Sequence, residues 1–239
     1  MTATGTTIRL CLRDYDAVLF DLDGVVTKTE RLHAAAWKRL FDAFLRERAR
    51  ATGEPFVPFD VSQDYRRYVD GKPRTDGVKS FLAARDIPLP LGSPADAPGD
   101  TSMHALGKRK DEYFRQEAQE HGVEVYESTV HLLRVLRAHD VKTAVVSSSK
   151  NCAAVVEAAG LTDLFDTRVD GLDLVRSGLA GKPAPDMFVE AAARLHVAPT
   201  RAVVVEDALS GVAAGRAGAF GLVLGVDRAC QAHALREAG

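Results

Sequence analysis

Apolar residues follow two rhythms along this chain. Three short runs, Ala17-Val18-Leu19-Phe20, Thr143-Ala144-Val145-Val146 and Ala202-Val203-Val204-Val205, stop abruptly at Asp21-Leu22-Asp23-Gly24, Ser147 and Glu206-Asp207. Runs of this length, partly β-branched or aromatic, read as buried strands entering loops. Between and after them, residues 130–139, 151–159, 185–195 and 209–217 read as helices. Strand and helix alternate, which predicts an α/β fold, a parallel sheet with helices on both faces. Ligands of such sheets sit at the carboxyl ends of the strands, and Asp21, Asp23, Ser147, Glu206 and Asp207 all fall there.

The alternation lapses between about 29 and 127. Trp37, Leu40, Phe41, Phe44 and Leu45 recur at helical spacing, Pro55 and Pro58 interrupt, and helical stretches resume around 78–84 and 106–119. Residues 87–101, with Pro88, Pro90, Pro94 and Pro98, read as an exposed loop. The expected organisation is a core of 1–28 and 128–239, with a mainly helical cap of 29–127 inserted after the first strand and placed to act as a lid. The chain stops at Gly239, after Leu224-Gly225-Val226, without the final strand-like segment such a fold leads one to expect, which reads as a truncated end.

Charge narrows the partners. With 31 basic and 33 acidic residues the formal charge is −2, which argues against nucleic acid or an anionic membrane, since their binders carry a basic excess. A small molecule fits better. Residues 1–15 hold no signal-type apolar core, and no run approaches the roughly 18 apolar residues of a membrane span. Cys11, Cys152 and Cys230 are scattered and lack metal-type spacing. A cytoplasmic monomer is expected.

Phosphoryl transfer needs a nucleophile, a proton carrier, a metal and positive charge around the phosphate oxygens. Asp21 and Asp23 suit the first two, although an isolated D-x-D is also an ordinary acidic turn. Glu206-Asp207, before the glycine-containing stretch Ser210-Gly211-Val212-Ala213-Ala214-Gly215, suits Mg²⁺ or simply opens a helix. Ser147-Ser148-Ser149-Lys150-Asn151 offers hydroxyls and N–H groups to phosphate, and equally reads as N-caps. Lys182, before the proline-started helix at Pro185, is a phosphate partner or a solvated loop lysine. Their joint occurrence at predicted strand ends favours the chemical reading.

These four elements, in this order, resemble the haloacid-dehalogenase-like superfamily, with its Rossmann-like core. The resemblance implies Asp21 as nucleophile and metal ligand, and Asp23 as general acid/base that gives a backbone carbonyl to Mg²⁺. Asp207, with Glu206, completes the metal site, and Ser147, Ser148 and Lys182 hold the transferring phosphate. Asp23 argues against the dehalogenase branch, which lacks it. Finer detail, Asp21-Leu22-Asp23-Gly24-Val25-Val26-Thr27 followed by Thr29, His33 and Trp37, resembles the β-phosphoglucomutase subfamily. That likeness implies a distal phosphate gripped by Arg74, in Asp70-Gly71-Lys72-Pro73-Arg74, with Ser149 and Asn151. Lys108 lies near the sugar and His33 orients the general acid/base. Lys28 and Gly77 depart from the pattern, which has Asp and Ser there, and the insert is longer.

Three functions remain in play. One is a Mg²⁺-dependent mutase interconverting β-glucose 1-phosphate and glucose 6-phosphate. Another is a phosphatase for a phosphorylated hexose or other small sugar phosphate. The last is an idle sugar-phosphate-binding module, which would have no need of both carboxylates.

Overall fold

The computed structural model describes residue 11, residues 13–228 and residues 230–239. The absence of a signal-type core in 1–10 lies outside the described residues. β1 (Ala17–Phe20) occupies the middle of a parallel sheet with β2 (Lys142–Val146), β3 (Thr167–Val169), β4 (Ala202–Glu206) and β5 (Leu222–Gly225). Among the described residues the strand order is β3-β2-β1-β4-β5. Phe20 stands opposite Val145 on one side and Val205 on the other. Asp21, Ser147 and Asp207 therefore emerge from one rim.

Between β1 and β2 the chain builds a helical insert. α1 (Glu30–Thr52) buries Trp37, Leu40, Phe41 and Leu45, and ends where the Gly53 N–H bonds the Ala49 carbonyl. A π-helical turn (Tyr65–Val69), α2 (Arg74–Ala84) and α3 (Met103–His121) complete it. Trp37, Phe41, Phe59, Phe81, Leu82 and Leu106 share an apolar cluster. Phe41 lies 4.1 Å from Phe81 and 5.2 Å from Phe59 between ring centroids. Each fully buried ring of this kind is worth about 1.5–3 kcal/mol of transfer free energy, so the insert carries a core of its own. Residues 87–102 form the proline-rich loop, with neither helix nor strand.

The chain enters and leaves this insert side by side. Thr27 bridges Val125 in antiparallel fashion. The Lys28 N–H donates to the Glu124 carbonyl at 2.8 Å, and the Tyr126 N–H to the Val26 carbonyl at 2.9 Å. Lys28 also pairs with the Glu124 carboxylate at 3.0 Å.

The sheet is covered on both faces. Val18, Phe20, Val145 and Val205 meet Leu133 and Leu136 of α4 (Glu127–Ala138) and Val155 of α5 (Cys152–Ala158). Leu19, Val146 and Val204 meet the opposite layer, including Met187 and Phe188 of α7 (Asp186–Arg194), which follows α6 (Gly171–Ser177), and Ala214 of α8 (Leu209–Ala217). Neighbouring strand residues point to opposite faces, so runs buried on both sides are continuously apolar. α9 (Ala232–Ala238) packs on α8 and β5. No helix among the described residues is long and apolar enough to cross a membrane.

Candidate active site

Asp21 is the first residue beyond β1, and its N–H still donates to the Val205 carbonyl at 2.9 Å. The ladder thus runs one residue past the strand and fixes the carboxylate at the rim. Lys182 reaches the same point from the loop before α7 with its side chain wholly buried. Its ammonium donates to Asp21 Oδ1, to Glu206 Oε1 at 2.6 Å and to the Val146 carbonyl at 3.2 Å. One cation ties together the ends of β1, β2 and β4. The other Glu206 oxygen accepts the Ala208 N–H at 2.9 Å, so both oxygens of this carboxylate are engaged.

Ligand oxygens of Asp21, Glu206 and Asp207 lie within 4.8 Å of one another. Burial pushes the Asp21 carboxyl well above its usual range; Lys182 pulls it down, and Glu206 and Asp23 push it up. Burial raises Asp207 too, with the charges of Glu206, Asp70 and Asp21 adding to it. Burial alone would lower Lys182, but Asp21 and Glu206 hold it above its usual value. Three carboxylates against one ammonium leave surplus negative charge on hard oxygen donors, a set that fits a small divalent cation. Gly24 holds the loop tight here. Its φ is +88°, and a Cβ would collide with the Asp207 carboxylate.

The Leu22 carbonyl accepts the N–H groups of Val26 and Thr27 at 2.9 and 2.8 Å, a turn that carries Asp23 back towards α1. The Thr29 hydroxyl donates to Asp23 Oδ1. His33 Nε2 lies 3.2 Å from the same oxygen, off the line of a formal hydrogen bond. Nδ1 of that ring is 2.5 Å from Lys110 Nζ, and the ring stacks on Phe114 at 4.1 Å. Burial works against the Asp23 charge, but His33 and Thr29 hold its carboxyl at about 2. Burial lowers His33, helped by Lys110, and lowers Lys110 to about 7, helped by Arg74.

The segment after β2 is laced by its own hydroxyls. Ser147 Oγ accepts the Ser149 N–H and Ser149 Oγ accepts the Asn151 N–H, each at 3.1 Å. Insert and sheet half touch where Ser148 Oγ donates to the Gly71 carbonyl at 2.9 Å and Ser210 Oγ to the Asp70 carbonyl at 3.0 Å. Gly71 has φ +68°, and a Cβ there would collide with Ser210 Oγ. Asn151 and Arg74 converge on Asp111 Oδ1 at 2.7 and 3.0 Å.

A cleft of about 60 Å³ gathers Asp21, Asp23, His33, Trp37, Gly71, Arg74, Ser147, Ser148, Ser149, Asn151 and Asp207 on its walls. Thr29 stands behind Asp23, while Lys182 and Glu206 lie beneath Asp21. Lys108 is absent from the lining and donates to the Asp96 carbonyl; Lys110, two residues on, lines the cleft in its place. Gly77 lies under Trp37, where a Cβ would stand 3.2 Å from the ring. Sequence reasoning also missed Tyr65, Asp70 and Asp111. For Lys110 the available signal was helical phase, since Leu106, Lys110 and Phe114 share one face of α3 and Lys108 does not. Asp70 is raised to about 7 by burial and then by the Glu206 charge.

A parallel sheet whose central strand ends in D-x-D, with a buried lysine and an acidic pair at the same rim, defines a phosphotransferase or phosphatase of the aspartate-dependent class. The chain belongs to the haloacid dehalogenase-like hydrolase family, whose family model matches residues 15–218. Its sequence is 50% identical over 226 residues to the β-phosphoglucomutase of Mycobacterium tuberculosis, covering 93% of this chain and 86% of that one. It is 27% identical over 228 residues to the phosphorylated carbohydrates phosphatase of Thermotoga maritima, covering 94% and 91%. A haloacid-dehalogenase family hydrolase from Deinococcus radiodurans, solved with bound phosphate and sodium, superposes with a TM-score of 0.62 at 31% identity, covering 95% of this chain and 89% of that one. The chain is thus an enzyme of sugar-phosphate phosphoryl transfer or hydrolysis.

Proposed function

We propose that the enzyme is a mutase that interconverts β-glucose 1-phosphate and glucose 6-phosphate by way of a bisphosphate. The observation that carries this reading is that two separate polar groups share one cleft. Asp21, Asp207 and Ser147 line one part of the cleft, with Lys182 bound beneath Asp21, and Arg74 and Asn151 form a second seat with its own cation. A hydrolase acting on one phosphate has no use for a second anion seat. A hexose bisphosphate fills both.

In this reading Asp21 attacks phosphorus and accepts the phosphoryl group as an acyl phosphate, while Lys182, Ser147 and Ser148 hold the oxygens. Asp23, ionised in the resting chain, takes the proton of the attacking sugar hydroxyl and returns it to the leaving oxygen in the opposite half-reaction. Asp21, Asp207, the Asp23 carbonyl and, more weakly, the doubly engaged Glu206 would hold Mg²⁺. When bound, that ion neutralises charge on the transferring phosphoryl group. Residues 29–127 would act as a cap over a 1–28 and 128–239 core, excluding water by closing Arg74 over the sugar. The phosphatase alternative uses the same carboxylates with water as acceptor, and the likeness to the Thermotoga maritima phosphatase speaks for it.

The test is ³¹P NMR of the protein with Mg²⁺, β-glucose 1-phosphate and a trace of glucose 1,6-bisphosphate. Glucose 6-phosphate forming without inorganic phosphate is the expected result. Phosphate accumulating in step with substrate loss would replace the mutase with the phosphatase.

A further inference from the structure

Asp111 occupies the seat formed by Arg74 and Asn151. Its Oδ1 takes the Asn151 amide at 2.7 Å and the Arg74 guanidinium at 3.0 Å, and its Oδ2 faces Arg115 at 3.2 Å. Asp111 and Arg74 come from helices α3 and α2 of the insert, whereas Asn151 precedes α5 in the sheet half. Carboxylate and phosphate ask for the same donors, a planar guanidinium and amide N–H groups. In this structure these donors hold an anion, and that anion is the chain's own.

We propose that Asp111 is an internal placeholder for the distal phosphate, latching α3 to the sheet half until a doubly charged ligand displaces it from Arg74 and Asn151. The proposal rests on the distal-phosphate reading above. Displacement leaves Asp111 a partner, because Arg115 follows it by one helical turn and is largely exposed. A phosphate brings nearly two charges and three free oxygens against one charge and two oxygens, so it wins the exchange. A ligand carrying only a carboxylate at that position offers nothing that Asp111 does not, and stays out. The residue is therefore a charge filter, which selects by rejecting the weaker anion as much as by attracting the stronger.

The test uses an Asp21→Asn background, which blocks turnover, and titrates glucose 1,6-bisphosphate and glucuronic acid 1-phosphate calorimetrically. Adding Asp111→Asn, which keeps shape and removes charge, is expected to tighten the bisphosphate three- to tenfold and the glucuronate by more, narrowing their ratio. Asp111→Ser, too short to reach Arg74, must act in the same direction. Unchanged or weaker binding of both ligands would overturn the proposal and leave Asp111 as a brace for Arg74. Arg74→Ala in the same background separates the two ideas: bisphosphate affinity indifferent to that change removes the distal seat itself, whatever Asp111 does.

Discussion

The ammonium of Lys110 lies 2.5 Å from Nδ1 of His33, and the other nitrogen of that ring faces Oδ1 of Asp23 at 3.2 Å. Donation from Lys110 leaves the ring proton on Nε2, the tautomer this network assigns. The insert thereby reaches through His33 to the carboxylate that would move the proton.

Lys110 is buried over Trp37 and Phe114 and lowered to about 7, by burial first and then by Arg74. Its folded value is below the unfolded 10.5, so below pH 7 the fold carries a buried charge, and that cost fades as pH rises from 7 towards 10.5. Lys110→Met should raise Tm at pH 6, by up to roughly 10 °C, and by progressively less at pH 9. The same change should cut kcat at least about tenfold by freeing His33. Melting curves against pH, with kcat at pH 7.5, check both.

Asp70 titrates in the opposite sense. Burial, then the Glu206 charge, lift it from 3.8 to about 7, so the folded chain holds this proton more tightly than the unfolded one. Stability from this group is complete below pH 4 and is lost as pH rises through 7. Asp70→Asn should stabilise the metal-free protein by on the order of 2–4 kcal/mol at pH 8 and have little effect at pH 4. Urea unfolding at the two pH values decides.

Asp21 and Asp207 are both raised, chiefly by burial, so a divalent metal bound there would compete with protons for one set of oxygens. Magnesium at about 100 times its Kd should stabilise the protein by ~2.7 kcal/mol, a rise of roughly 5–10 °C in Tm. That rise should be larger at pH 8 than at pH 6. It should vanish in Asp207→Asn and on chelation, along with turnover. A thermal-shift titration reads all of this.

Asp21→Asn removes the proposed nucleophile and keeps an oxygen for Lys182. Turnover should fall by at least about 10³-fold, as expected when a covalent step is lost, with sugar-phosphate affinity retained. Rapid-quench detection of an acyl phosphate in the parent and its absence in the variant provides the direct check.

At Gly24, alanine meets both an unfavourable φ and the Asp207 carboxylate. Gly24→Ala should lower Tm through backbone strain of about 1–2 kcal/mol and weaken the magnesium shift more than its stability loss accounts for.

The sheet was legible wherever strands are buried on both faces. β1, β2 and β4 were read from continuous apolar runs, and α5, α7 and α8 fall within a residue or two of the expected 151–159, 185–195 and 209–217. β3 was not read because it is three residues long, with Arg168 pointing outward. β5 is an edge strand of half-exposed residues. The rim residues were visible because strand ends are marked by an abrupt change to polar. Tyr65, Asp70 and Asp111 come from the insert, and only the tertiary path of the π-helical turn and α3 brings them to the cleft. No local pattern announces that path.

The paired crossings at Thr27 and Val125 also bear on how such a chain can diversify. Because the insert departs and returns at one doubled neck, those of its loops that stay clear of the sheet rim, unlike Gly71 against Ser148 and Pro73 against Gly181, can lengthen without disturbing β1. On the function proposed above, choice of sugar and capacity for phosphoryl chemistry would thus be separable traits on one polypeptide. The long proline-rich loop at 87–102 is the kind of variation this arrangement tolerates.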